Sequence, residues 1–289
     1  MQPLHWLPRF LLRHKTIYFL CKIGLQNRVS VVEFNNGART VIDLSDPEPR
    51  NVFIQRKFEP HFFDIAKALT PQDGVFFDLG ANVGFCSFGL VPYRPRVSYH
   101  LFEASPMMID LLERSIRLHP EQPMYLTHAC LSEVDGTTLF HLEEKQSGQS
   151  RVALESEGGV AVGNLRLDQY CAKNSIEEVA FVKMDLEGHE LPTLRGWKEF
   201  LEQKRAKAIY LEIIPENQSR YDFDSQAPLT FLESMGYTLF LCKAEDFGAF
   251  GQEPSEKRFA NGPLVVSSFR AHEYPPHFAT DVLAVAENG

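Results

Sequence analysis

Two short stretches carry residue types that can do chemistry. In VFFDLGANVGF, residues 75–85, an apolar run meets Asp78, and Gly80 and Gly84 then bracket Asn82. In VAFVKMDLEGHE, residues 179–190, a second apolar run ends on Asp185, Glu187, His189 and Glu190. Glycines at 80 and 84 permit torsions and a close ligand approach that a Cβ would block. A dinucleotide turn reads G-x-G-x-x-G and aims its amides at a pyrophosphate. Here Asn82 stands where the second glycine belongs, and the Asp78 carboxylate would repel a pyrophosphate but attract an ammonium or sulfonium. The turn suits a cationic, amino-acid-bearing cofactor. Glu103, closing VSYHLF, lies where an acid accepts both hydroxyls of a ribose; its charge also suits the start of the helix that begins near Pro106.

In the second stretch only the His189 imidazole has an ordinary pKa near neutrality, which makes it the candidate base for removing a hydroxyl proton, with Asp185 or Glu212 to hold its tautomer. Glu187 and His189 equally suit caps on the helix that follows Gly188, and both readings stand. Asp185 and Glu212 end neighbouring strands and would also suit Mg²⁺ through oxygen ligands; a divalent metal is left unassigned. Glu59 fits two roles as well, a group closing over the ligand or a helix N-terminal acid.

The elements that position these residues alternate. VFFDL, VSYHLF, VAFVKMDL and AKAIYLEII read as strands, each followed by a helical pattern, and this repeat implies a doubly wound, mostly parallel α/β sheet. YTLFLC and DVLAVA, near the C-terminal end, suit an antiparallel pair at one edge, with 243–280 as a long loop between them. Phe247 and Phe250 in that loop are candidates for covering a substrate. FEPHFFDIAKAL, 58–69, reads as a helix, and VSVVEF and ARTVIDL around Asn35-Asn36-Gly37 read as a hairpin. Segments between 143 and 159 read as exposed turns. Residues 1–57 are thus an N-terminal helical and hairpin extension, and 58–289 the main domain.

Trp6, Phe10, Ile17 and Leu20, with Arg9, Arg13 and Lys22 interleaved, place one or two short helices in 4–23. Packing on the chain's own domain is favoured there, and peripheral contact with a membrane is the alternative. No membrane span and no signal peptide is read, so the expected location is the cytoplasm. The chain has 289 residues, 44% hydrophobic, and a formal net charge of -9, which disfavours nucleic acid as a partner. Its five cysteines, with no CxxC pair, read as reduced core residues. Nothing in the sequence speaks to the oligomeric state.

Taken in order, FEPHFFDIAKALTPQDGVFFDLGANVG, LFEASP, ACLSEVDGTTLF, LRLDQY and VAFVKMDLEGHELPTLRG followed by IYLEI resemble the FkbM family of class I S-adenosylmethionine-dependent methyltransferases. The resemblance implies a Rossmann-like fold and methyl transfer from S-adenosylmethionine to a hydroxyl of a sugar, glycolipid or secondary metabolite. It implies that Asp78, Gly80, Asn82 and Gly84 cradle the cofactor's methionine and ribose, that Glu103 clamps the ribose, and that Cys130, Leu131 and Ser132 pass the adenine. Ala81, Ala104, Asp185 and Glu59 join the cofactor-binding set, and His189, Asp185 and Glu212 the catalytic one. Two other functions compete: an NAD-dependent oxidoreductase, which lacks its glycine fingerprint here, and a catalytically silent cofactor-binding scaffold.

Overall fold

A computed structural model describes residues 14–143, 146–154, 156–250 and 253–287, so the expected helix over 4–23 is described only from His14 onward. Helix α1 (His14–Lys22) buries Ile17 alone. Strands β1 (Val29–Phe34) and β2 (Ala38–Asp43) form the expected hairpin, with Asn35 and Gly37 at φ 45° and 83° in its turn. Helix α2 (Pro47–Gln55) was not read from the sequence. Asp46 caps it by accepting from the Glu48 amide at 3.1 Å, with Pro47 in the first turn where a missing N–H costs nothing. Helix α3 (Pro60–Leu69) follows.

The alternation then runs β3 (Val75–Leu79), α4 (Phe85–Leu90), β4 (Ser98–Glu103), α5 (Pro106–Ile116) and β5 (Met124–His128). Four short strands come next, β6 (Cys130–Leu131), β7 (Thr137–His141), β8 (Arg151–Val152) and β9 (Val160–Leu165), and pair as a separate sheet in the order β6-β9-β7-β8. The main repeat resumes with α6 (Leu167–Lys173), β10 (Phe181–Met184), α7 (Glu190–Arg195), α8 (Lys198–Glu202), β11 (Ala208–Ile213), α9 (Pro215–Ser219), α10 (Ala227–Ser234) and β12 (Tyr237–Leu241). It closes with β13 (Ser255–Phe259), β14 (Gly262–Phe269) and β15 (Thr280–Ala286).

The main sheet has nine strands in the order β13-β14-β12-β15-β11-β10-β3-β4-β5, parallel from β11 to β5. The doubly wound parallel core is as expected, within a sheet that is mixed overall because β15, β12, β14 and β13 pair antiparallel. The pairing of β12 with β15 is antiparallel as expected, but it is not the edge. Residues 243–280 form no loop: a hairpin of β13 and β14, turning at Ala260-Asn261, extends the sheet beyond β12. Phe247 is buried against the core instead of covering a substrate; the Phe250 side chain lies outside the described residues. No helix among the described residues is long and apolar enough to cross a membrane.

Strands buried on both faces read as unbroken apolar runs. Phe76, Phe181 and Tyr210 lie in one core layer, while Phe77, Val182 and Leu211 lie in the other. The period of two carries this order past the core. Asp78, Lys183 and Glu212, each two residues beyond Phe76, Phe181 and Tyr210, share one face at the carboxyl ends, with Asp78 and Lys183 paired in register.

Candidate active site

Strands β3, β4, β10 and β11 end along one line, and the turns leaving them enclose a crevice outside their carboxyl ends, where a doubly wound sheet holds its ligand. The crevice has two arms that meet at Gly80, Asn82, Gly148, Asp185 and Glu187. Gly80 has φ +80°, and a Cβ there would fall 1.9 Å from the Asp185 carbonyl oxygen, so the two turns meet only because residue 80 is glycine.

The narrow arm encloses about 70 Å³ between β4, β6 and the small sheet, with apolar walls from Met108, Cys130, Leu131, Phe140 and Val152. Glu103 accepts from the Asn82 amide through Oε2 and from the Ser105 amide through Oε1, both at 2.7 Å. Burial raises its pKa, and these amides oppose the rise. His189 also lines this arm. Its Nδ1 is buried with no partner, its ring stands edge-on to Tyr221 at 5.7 Å, and burial pushes its pKa down to about 4.

The wide arm, about 470 Å³, is rich in carboxylates, among them Glu48, Glu59, Asp78, Asp185, Glu187 and Glu212. At its centre the Lys183 ammonium lies 2.9 Å from Asp185 Oδ2 and 3.5 Å from the Gly80 carbonyl oxygen. Burial opposes this charge, but the Asp185, Cys86 and Asp78 side chains hold the ammonium well above the usual lysine range. Asp78 itself is buried. Its Oδ2 accepts from the Ser87 amide and hydroxyl at 3.2 and 2.6 Å, while Oδ1 has no partner. Burial, then the charge of Asp281, raises Glu59 to about 7; burial, then Asp185 and Glu190, raises Glu187 to about 8. Burial with Asp185 and Asp281 raises Glu212 as well.

The loop after β10 is held in an unusual shape. Glu187 takes φ 54°, Gly188 takes φ 101°, and Glu190 ties the turn by accepting from the Leu186 and Gly188 amides through Oε1, at 2.9 and 3.3 Å. The Gln218 side chain donates to Glu190 Oε2 at 3.0 Å, so Glu190 is a staple. The Asn217 side chain donates through Nδ2 to Glu187 Oε2 at 2.7 Å. Glu59 and Asn82, at φ 28° and 49°, are likewise in the sparsely populated left-handed half of the backbone map.

A strap crosses the junction of the arms. Residues Ser147–Gln149 form a 3₁₀ turn, and the Ser147 amide donates to Asp46 Oδ2 at 2.8 Å while its hydroxyl donates to Asn82 Oδ1 at 2.9 Å. The segment read as an exposed turn thus forms part of the wall.

Of the residues expected at the site, Glu59, Asp78, Gly80, Ala81, Asn82, Asp185 and Glu212 line the wide arm, and Glu103, Ala104, Cys130 and His189 the narrow one. Two expectations need correction. A Cβ on Gly84 would meet Phe88 at 2.3 Å, so this glycine serves the packing of α4 and lines neither arm. Ser132 turns away too: it is buried, its amide pairs with Leu165, and its hydroxyl accepts from the Val134 amide. His189 has no hydrogen bond to Asp185 or Glu212 and sits in the opposite arm from Glu212. Lys183, Glu48, Asn217 and the strap were not foreseen. Among the described residues no group of three or more His, Cys, Asp or Glu side chains is arranged to hold a metal ion.

Residues 78–239, more than half of the chain, match the model of the methyltransferase FkbM domain. The chain belongs to this family. It is an S-adenosylmethionine-dependent methyltransferase, which sets aside the oxidoreductase alternative. The chain is 26% identical over 182 residues, 57% of its length and 72% of the relative's, to the 2-O-methyltransferase NoeI of Sinorhizobium fredii (strain NBRC 101917 / NGR234). Among solved structures it is similar to precorrin-6y C5,15-methyltransferase from Geobacter metallireducens GS-15, at 13% identity and TM-score 0.40, covering 79% of this chain and 89% of that one. It is also similar to M. jannaschii TYW2 in complex with AdoMet, at 13% identity and TM-score 0.38, covering 90% and 86%.

The crevice fits the cofactor in kind. Glu103 offers carboxylate oxygens with lone pairs to spare, the orphaned His189 Nδ1 offers a further polar partner, and the apolar walls suit a purine. Its narrow arm is far below the roughly 300 Å³ of an ordinary small-molecule pocket.

Proposed function

We propose that the chain methylates a hydroxyl group of a polyhydroxylated small molecule, a sugar or the sugar portion of a glycolipid or secondary metabolite. The observation that carries this reading is the acid-walled wide arm, joined to the narrow arm at Asp185 and Glu187. Carboxylates accept hydrogen bonds from hydroxyls, and one of them can accept the hydroxyl proton. The similarity to a relative named as a 2-O-methyltransferase supports the same class.

Narrow-arm residues Glu103, Ala104, Cys130 and His189 would hold the adenosyl end, and Gly80, Ala81 and Asn82 the turn beside it. When bound, the cofactor supplies an electrophilic methyl group on a sulfonium. Glu187, at the junction, is assigned as the general base: its O–H bond forms as the acceptor's breaks, leaving a neutral acid whose raised pKa makes it a stronger base than an ordinary carboxylate. Asn217 fixes its orientation. Asp185 positions Lys183 through their ion pair, and Glu212 and Glu59 bind further acceptor hydroxyls. His189 is moved from the base role foreseen for it to the cofactor side.

The test is a mass-spectrometric screen for methyl gain across neutral glycosides, glycolipids and hydroxylated metabolites, with formation of S-adenosylhomocysteine followed in time. Methyl ethers on a sugar are expected. Cofactor binding without turnover on any acceptor would leave the scaffold reading standing, and methylation confined to amines or phosphorylated acceptors would overturn the acceptor class.

A further inference from the structure

Helix α1 and the turn after it leave large apolar side chains in water: Tyr18, Phe19, Ile23 and Leu25 are 51%, 57%, 49% and 57% exposed. Ten large apolar side chains are exposed among the described residues, and these four fall within eight positions of one another, which makes a patch of them instead of scattered singles. The helix is fastened through Ile17, which is buried, and through Arg50 of α2, which donates to His14 and reaches over the Tyr18 ring at 5.6 Å, so Tyr18 stands at the edge of the patch.

Charge decides what the patch meets. Residues 1–32 hold five Lys or Arg and no Asp or Glu, whereas all 38 acidic residues of this net -9 chain lie beyond them. Lys15 and Lys22 are exposed on α1 beside the apolar side chains, and neither has an ion-pair partner among the described residues. An apolar face rimmed by lysine on an otherwise acidic protein is complementary to an anionic lipid surface and repels another copy of this chain at its acidic body. We propose that α1 and the 23–25 turn dock the protein on the surface of a negatively charged bilayer, lying in the interface without crossing it. This surface is independent of the acceptor proposed above. It is mechanically close to it, because α1 packs on α2, which begins at the Asp46–Glu48 turn that holds the strap and lines the wide arm.

The test uses the full chain and sedimentation with vesicles, phosphatidylcholine alone against phosphatidylcholine with about a third phosphatidylglycerol. Bound fraction should be at least about tenfold higher on the anionic vesicles and should fall as salt is raised through a few tenths molar, since exposed charges are screened there. The double variant F19E/I23E should lose that binding while melting as the wild type does, both side chains being exposed, and K15E/K22E should lose the preference for anionic lipid. Absence of binding by the wild type, or equal binding by F19E/I23E, overturns the proposal. So does a wild-type dimer in light scattering that F19E/I23E converts to monomer, for the patch would then be covered by a second copy.

Discussion

The two arms of the crevice are built on opposite plans. In the narrow arm Glu103, the carboxylate away from the junction, is already met by two backbone amides, and much of the wall around it is apolar. In the wide arm the carboxylates of Glu48, Glu59, Asp78, Asp185, Glu187, Glu212 and Glu216 line the walls with Lys183 and Arg220, and burial and nearby acids raise Glu59, Glu187 and Glu212. The narrow arm is shaped to recognise one ligand by fit. The wide arm holds space and proton-accepting capacity. Its walls come from the strand ends, the α2 and α9 turns, the approach to α3 and the strap, whereas Cys130, Leu131, Phe140 and Val152 of the narrow arm come from the small added sheet. On the function proposed above, cofactor fit and proton chemistry rest largely on different residues and should respond separately to mutation.

The sharpest way to break this division is to compare one residue from each arm. Glu187→Gln removes the assigned base and should lower turnover by about a hundredfold or more, the usual range for a positioned acid-base group, with affinity for S-adenosylhomocysteine unchanged. Wild-type turnover should rise with pH and level off above about 8, because only the carboxylate accepts a proton, and the variant should lose that limb. His189→Ala should do the reverse, weakening S-adenosylhomocysteine by about 1 kcal/mol while keeping the pH profile. If the pH limb vanishes in His189→Ala and persists in Glu187→Gln, the assignments exchange.

Glu103→Ala sharpens the narrow side. It should weaken S-adenosylhomocysteine by about 1 to 3 kcal/mol in titration calorimetry, and it should also lower the melting temperature, because the Asn82 and Ser105 amides lose their acceptor. A variant that melts normally and binds normally would mean that Glu103 neither meets the ribose nor holds the turn.

What could be read in advance follows the same division. Asp78, Gly80, Asn82, Glu103, Asp185 and Glu212 follow apolar runs, and strands that must be buried on both faces advertise their own ends. The strap could not be read that way. Ser147 is fastened to Asp46 and Asn82, 101 and 65 residues away in sequence, by contacts that leave no periodicity. Lys183 lay inside a strand, where a charge reads as an interruption until its register with Asp78 is seen. The hairpin of β13 and β14 had only a weak local signal, because β13 reads SEKRF, polar and exposed, and its turn at Ala260-Asn261 carries no strong turn pair. Ser132 and Gly84 went wrong for a different reason: motif position gives the neighbourhood of a side chain, and packing decides which way it faces.

Stability against pH tests the wide arm without any acceptor. Glu59 and Glu187 have folded-state pKa values of about 7 and 8, above the ordinary 4.5 of an unfolded glutamate. The folded chain therefore binds more protons than the unfolded chain in that window, and stability falls as pH rises. Their contribution is whole below about 4.5 and is lost as pH passes through about 7 to 8. His100 and His189, held by burial at about 4, add stability as pH rises toward 6.5, so scanning calorimetry of the ligand-free protein should show the melting temperature declining from about pH 6.5 to 8, and Glu59→Gln and Glu187→Gln should each flatten the decline. A flat wild-type curve would mean that these acids are solvated in solution and that the arm is open to water.

The smallest effect belongs to the strap, where the arms meet. Ser147→Ala removes the hydrogen bond to Asn82 Oδ1 and leaves the Ser147 amide bonded to Asp46, so the turn should stay in place with one tie fewer. A part-buried neutral hydrogen bond contributes about 1 kcal/mol, which sets the scale at somewhat under a tenfold change. The loss should fall on KM for the acceptor, because Gln146, Gly148 and Gln149 wall the wide arm, while turnover at saturation stays near wild type. Asp46→Ala should cost more, since the same carboxylate also caps α2. If Ser147→Ala instead lowers turnover at saturating acceptor with KM unchanged, the strap acts on the reacting groups through Asn82 and the glycine turn, and the separation of fit from chemistry fails at the junction itself.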